Sequence, residues 1–277
     1  MFHRRSVRPA ALGAAGLGLA AALTTAASAS ATPDHRTAPK TKPTVVLVHG
    51  AFADASGWNK VAKDLQGDGY KVVAPANPLR GLPQDATYIA SVLKSVSGPV
   101  VLVGHSYGGA VITQAAAGNP QVKALVYIAA FMPDKGENLG ELSAKFTDSD
   151  LQPALKQVPY ANADGTGGAD LYIDPAKFRS VFAADLPASQ TALMAAEQRP
   201  ISASTFGDSA TEAAWRTIPT WALVAKQDKA LGTKLERFEA ERAHAHTVEV
   251  NSSHVPMISR PHVVSHLIEN AARATSK

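Results

Sequence analysis

The run Val100-Val101-Leu102-Val103-Gly104-His105-Ser106-Tyr107-Gly108-Gly109 constrains this 277-residue chain more than any other stretch of it. Its apolar, β-branched opening suits a strand buried on both faces, and such strands belong to parallel sheets. A helix-compatible segment, 110–117, follows at once and is stopped by Gly118-Asn119-Pro120. In so tight a strand-to-helix turn the central residue takes strained backbone angles that lift its side chain above the sheet. Glycines at 104 and 108 let the neighbouring backbones approach. Ser106 is therefore the expected nucleophile, with the unpaired amides of the helix start aimed at any oxyanion it creates. A serine between glycines can also mark a plain flexible turn, but the strand before it and the helix after it argue against that. His105 should diverge from Ser106 in this turn and is expected to pack beside the strands.

Comparable apolar runs at 44–48, 71–74, 122–128, 220–225 and 247–250 bring the expected strands to six. Between them, Trp58, Val61, Ala62 and Leu65, and again Tyr88, Ile89, Val92 and Leu93, are spaced for one face of a helix. Further helices are expected over 231–242 and 262–272. This alternation predicts an α/β fold, a mostly parallel sheet of about six strands flanked by helices. The stretch 132–216 breaks the rhythm with Gly136, Gly140 and the run 161–168, then aromatic-containing pieces carrying Tyr172, Phe178, Phe182 and Met194. It is expected to be a small, mainly helical cap inserted between the fourth and fifth sheet strands, since a structureless loop of that length is improbable in a compact domain.

Residues 1–31 read as an export signal: Arg4, Arg5 and Arg8, then an apolar Ala/Leu/Gly run over 10–22, then small residues allowing cleavage after Ala29 or Ala31. The apolar run is too short to span a bilayer, so the protein is expected to be secreted, without a stable membrane span, and the Arg4-Arg5 pair leaves the twin-arginine route open. Residues 32–43 look like a flexible lead-in, and 44–274 like one domain carrying the cap. The formal charge of +4 falls to about +1 once the three leader arginines are removed. The remaining charges are interspersed, so no nucleic-acid footprint is suggested. With no cysteine, disulfides, thiol nucleophiles and cysteine metal sites are excluded, and the fold must be held by its core, which a mature chain of roughly 245 residues is long enough to build. Metal-binding, phosphate-loop and dinucleotide signatures are missing too, so no cofactor or metal is expected.

A second strand, 45–48, runs into His49-Gly50-Ala51-Phe52, which can present the backbone N–H of Ala51 beside that of Tyr107 as an oxyanion hole, with Phe52 as the alternative donor. His49 is expected to organise this loop. If the order is nucleophile, acid, histidine, the base is one of His244, His246, His254, His262 and His266. Of these, only His254 sits in a short loop directly after a strand, and it is the expected base. Asp228, the first carboxylate after the strand 220–225, is the expected orienting acid, and Asp134, in the loop after 122–128, is its competitor. Phe52, Phe131 and Met132 are expected to line an apolar pocket, with Tyr172, Phe178, Phe182 or Phe206 above it.

Taken together, these segments resemble the α/β-hydrolase superfamily over 44–274, in particular bacterial esterase-like proteins related to plant methylesterases and hydroxynitrile lyases. By that resemblance Ser106, Asp228 and His254 match the catalytic triad, Ala51 and Tyr107 match the oxyanion donors, and the sheet begins at the third strand of the eight-strand family pattern. The lyases carry a lysine after the catalytic histidine, where this chain has Val255, and halide- and epoxide-opening relatives use an aspartate nucleophile where it has Ser106. The resemblance therefore implies a serine carboxylic-ester hydrolase acting through an acyl-enzyme on small to medium, apolar or aromatic esters. A lactone, amide or other acyl compound would use the same residues. A secreted, noncatalytic binding protein of the same fold is the alternative from another class.

Overall fold

The computed structural model describes residues 42–275. The expected export signal, and all but the last two residues of the expected lead-in, lie outside them. Strand β1 (Thr44–Val48) leads through a 3-10 turn into α1 (Asn59–Gly67), and β2 (Val72–Val73) into α2 (Leu82–Ser95). β3 (Val100–Ser106) turns directly into α3 (Tyr107–Ala115), followed by β4 (Val122–Ala130). After β4 come α4 (Leu139–Ala144), β5 (Leu155–Ala161), β6 (Gly167–Ile173), α5 (Pro175–Phe182), α6 (Ala188–Glu197) and β7 (Ile201–Ser202). The chain then returns through β8 (Thr220–Ala225), α7 (Thr233–Arg242), β9 (His246–Val250), α8 (Pro256–Ser259) and α9 (Pro261–Ala274).

Six strands form one sheet in the order β2-β1-β3-β4-β8-β9, and every pairing in it is parallel. β1, β3 and β8 are buried along their whole length, which is why their sequences are unbroken apolar runs instead of alternating ones. Helix α1 packs on α9, and α2 on α3. In α9, Val264, Leu267, Ile268 and Ala271 fall on the buried face, while His262 and His266 are exposed. The strand order reverses between β1 and β3, because the chain builds outward to β2 and then crosses back. A crevice outside the carboxyl ends of the strands opens at such a reversal, so the loops after β1 and β3 face each other there.

The segment between β4 and β8 is the expected inserted cap, and it holds strands as well as helices. Alongside α4, α5 and α6 it holds a second, three-stranded sheet, β5-β6-β7, with antiparallel pairings. The glycine-rich run seen in the sequence closes the hairpin between β5 and β6, where Asn162 N–H donates to Thr166 O at 2.7 Å. Tyr172, expected on a helix, lies on β6. β5 is mostly exposed, so it carries no apolar alternation by which a strand could be recognised. Among the described residues, no helix is long and apolar enough to cross a membrane.

Candidate active site

Ser106 ends β3 at φ 54 and ψ −127, a conformation that non-glycine residues occupy only when their surroundings enforce it. Two close approaches enforce it here. A Cβ on Gly108 would lie 2.5 Å from the carbonyl oxygen of Val48, and one on Gly50 would lie 2.6 Å from Ser106 Cβ. The end of β1 is thus pressed against the turn that carries the serine, and only hydrogen side chains fit between them. Tyr107 opens α3, so helix geometry supplies no partner for its N–H. Its phenol points to buried Asp85, donating to Oδ2 at 2.7 Å.

The two candidate amides of the loop after β1 differ in their partners. Phe52 N–H donates to Arg199 O at 3.0 Å and is occupied, whereas Ala51 N–H has no acceptor among the described residues. His49 braces this loop: its Nδ1–H donates to Gly50 O at 2.9 Å and its Nε2 accepts from Asn77 N–H at 2.9 Å. Burial holds its pKa below the ordinary imidazole value, consistent with a neutral ring.

On the other side, His254 is fully buried, and its Nδ1–H donates to Asp228 Oδ2 at 2.5 Å. Asp228 Oδ1 accepts from the amides of Ala230 at 2.7 Å and Leu231 at 2.9 Å. Burial alone would raise the Asp228 pKa. The His254 imidazole and these hydrogen bonds outweigh it, so the carboxyl stays below its usual range. Asp134 lies elsewhere, forked onto Arg216 through both carboxylate oxygens. His105 Nε2–H donates to the carbonyl of His254 at 2.8 Å, holding the histidine loop from beneath. Its ring is itself kept neutral by burial. His244 and His246 fall at the far end of β9, and His262 is an exposed partner of Asp64.

Ser106, His254, Ala51, Phe52, Tyr107 and Phe131 line one cavity, joined by Phe182 and Phe206 from the cap. The room left between them is about 10 Å³, roughly what one water fills. No hydrogen bond joins Ser106 to His254, whose Nε2 is buried without a partner among the described residues. Met132, expected at the pocket, does not line it. Its backbone is instead drawn into the body of the protein, the amide onto Glu239 Oε1 at 2.9 Å and the carbonyl onto Arg242. Leu139, Leu151, Ala230 and Leu231 line the cavity without having been singled out, since nothing in their local sequence distinguishes them from core residues.

A larger pocket of about 330 Å³ adjoins the cavity, and the two share Phe52 and Phe182 as a partition, their rings edge to face at 6.3 Å. Leu193, Met194, Val255, Met257 and Ile258 make much of its lining apolar. The cap is fastened on both flanks of the cavity: Arg199 O holds Phe52 N–H, and Asp185 accepts the hydroxyl of Ser253, next to His254.

A model of the alpha/beta hydrolase family matches residues 45–267. Among curated relatives, the alpha/beta hydrolase nvfD of Aspergillus novofumigatus is 27% identical over 83% of this chain and 97% of its own. Methylesterase 1 of Arabidopsis thaliana is 24% identical over 82% and 94%. A carbendazim hydrolyzing esterase of Nocardioides is 36% identical over 36% of this chain and 47% of its own. Among solved structures, polyneuridine aldehyde esterase shares the fold at a TM-score of 0.72, with 22% identity over 83% of this chain and 99% of its own. So does an extracellular alpha/beta-hydrolase from a Paenibacillus species, at 0.67 and 20% identity over 83% and 99%. The chain belongs to the alpha/beta hydrolase family, in the esterase-like branch related to the plant methylesterases.

Proposed function

We propose that Ser106, His254 and Asp228 carry the chemistry of this ester-hydrolysing serine enzyme, with the backbone amides of Ala51 and Tyr107 as its oxyanion hole. The observation that carries the assignment is the convergence of a strained serine, a buried imidazole held by a carboxylate, and two unpartnered amides on one cavity. Ser106 Oγ attacks the ester carbonyl while His254 Nε2 takes its proton, and the carbonyl oxygen becomes an oxyanion facing the two amides. Asp228 keeps the proton of the neutral imidazole on Nδ1 and stabilises the imidazolium formed. His254 then protonates the departing alcohol, and a water activated by the same nitrogen releases the acid from Ser106. Catalytic hydrogen bonds of this kind commonly tighten only when substrate arrives, and the Ser106–His254 bond is expected to form in that complex.

The substrate class follows from the walls. The cavity around Ser106 is walled by aromatic and aliphatic side chains with no lysine or arginine among its described lining residues. The adjoining pocket adds Leu193, Met194, Val255, Met257 and Ile258 beside the polar Asp54, Lys60 and Glu197. The walls next to Ser106 favour small to medium apolar or aromatic esters. Residues 1–31 serve as an export signal in this reading, in keeping with their charge and apolar pattern and with the extracellular relative.

The test is a series of p-nitrophenyl esters from acetate to longer chains. Ser106→Ala is expected to abolish turnover and Asp228→Asn to lower kcat by about 10⁴-fold, while Asp134→Asn retains it. A wild-type protein that turns over no ester and resists a serine-directed phosphonate would sink the reading. Loss of turnover in Asp134→Asn with Asp228→Asn active would reassign the acid.

A further inference from the structure

Behind Asp228 lies a second buried carboxyl with no place in this mechanism. Glu236, in the first turn of α7, is 3% exposed, and its carboxyl lies against that of Asp228, itself 2% exposed. Glu236 Oε2 accepts the amide of Ala225 at 2.9 Å, while Oε1 is buried with no donor among the described residues. Two carboxylates in contact away from water cannot both ionise, so one of them keeps a proton. Asp228 faces an imidazole and takes two amide hydrogens on its other oxygen, which favours its charged form. Glu236 has a single amide and no cation paired with it, so the proton belongs there. A carboxylic O–H then sits against a carboxylate, and the bond between the two is a charge-assisted one.

We propose that Glu236 is a positioning residue of this site, a neutral carboxyl that donates a hydrogen bond to Asp228 and fixes it against His254. The inference rests on the reading of Asp228 and His254 as acid and base. By drawing on the charge of Asp228, the donor moderates how strongly that carboxylate holds the imidazolium. It also keeps the buried set at one negative charge. Burial, and next the charge of Asp228, push the Glu236 pKa well above the usual range. The other titratable groups around it are Glu239 one turn along α7, Arg237, whose guanidinium is engaged by Glu249 of β9, Asp148 of the cap, which accepts the Lys234 amide at the start of α7, and His254 beyond Asp228.

The experiment compares Glu236→Leu and Glu236→Gln in the full chain. Without a donor on it, Asp228 holds the imidazolium more tightly. Glu236→Leu is therefore expected to move the acid limb of kcat/KM up by about one pH unit and to lower kcat about tenfold with little change in KM. Glu236→Gln, which can still donate to Asp228 and accept from Ala225, is expected to rescue most of that loss. It should also lack any alkaline limb due to Glu236. Infrared difference spectra between wild type and Glu236→Gln, recorded in the Ser106→Ala background, should contain the carbonyl stretch of a protonated carboxyl at neutral pH. Absence of that band, or an acid limb in Glu236→Leu identical to wild type, overturns the proposal. Because the spectrum is read in an inactive protein, failure of the esterase reading and failure of this one are separable, and Glu236→Gln keeps the test decisive if Glu236→Leu does not fold.

Discussion

At the scale of single residues, the hydrogen on Gly50 and the proton on Glu239 make the sharpest predictions. A methyl at 50 meets Ser106 Cβ at 2.6 Å and His105 O at 2.8 Å, so Gly50→Ala should displace the nucleophile and lower kcat at least about 100-fold. Gly67, at the end of α1, has open space around its Cβ position, so Gly67→Ala should instead stabilise by about 0.5 kcal/mol in a denaturant titration. Burial pushes the Glu239 carboxyl from an ordinary value of 4.5 up to about 8. The folded chain then binds a proton that the unfolded chain releases in that range, so the contribution to stability is fully present below about 4.5 and lost as pH rises to about 8. Thermal melts should show the Tm of Glu239→Gln gaining on wild type between pH 5 and pH 8; parallel curves would contradict this. Much at this scale was legible. Ser106 stood out because it closes a buried strand at a tight turn, and His254 because it sits in a short loop directly after a strand. Asp228 is favoured over Asp134 as the first carboxylate after the strand preceding that of the histidine, although both follow sheet strands. What separates them is a pairing with Arg216, 82 residues away from Asp134, which no local pattern reveals.

Elements were read unevenly, for reasons that lie in burial. The central strands declared themselves because both their faces are covered. β5 and β6 were missed because the hairpin has little buried surface to impose a period, and a turn of Asn, Asp, Gly and Thr looks the same in a loop as in a hairpin. α5 buries Phe178, Val181 and Phe182 on one face, and the aromatic pair marks it in the sequence as part of a cap helix. Its last residue, Phe182, stacks edgewise on His254 at 5.0 Å as well as on Phe52, so this helix end divides the small cavity from the larger pocket. Phe182→Leu should thin that partition and raise kcat/KM for an octanoate ester relative to acetate by about tenfold. An unchanged ratio would mean that the larger pocket takes no part in binding the acyl chain.

For the molecule as a whole, the six-strand parallel sheet and its inserted cap follow from alternation, but the reversal of strand order between β1 and β3 does not. It depends on which neighbour each strand chooses, and buried runs of Val and Leu are nearly interchangeable in that respect. The reversal nonetheless brings Ala51 and Tyr107 from different strand ends to one point. With no cysteine, the chain can be exported without any need for oxidative folding. If residues 1–31 are an export leader, mass spectrometry of protein recovered from the medium is expected to find an N-terminus at Ser30 or Thr32, and a product retaining Met1 there would refute the assignment. The two fasteners of the cap carry one more implication. Because they attach to the residues flanking the oxyanion donor and the base, any opening wide enough to admit an ester must pull on the very loops that later hold it. Admission and alignment therefore share a single movement, and a substitution that loosens the cap far from Ser106 should alter kcat together with KM instead of entry alone.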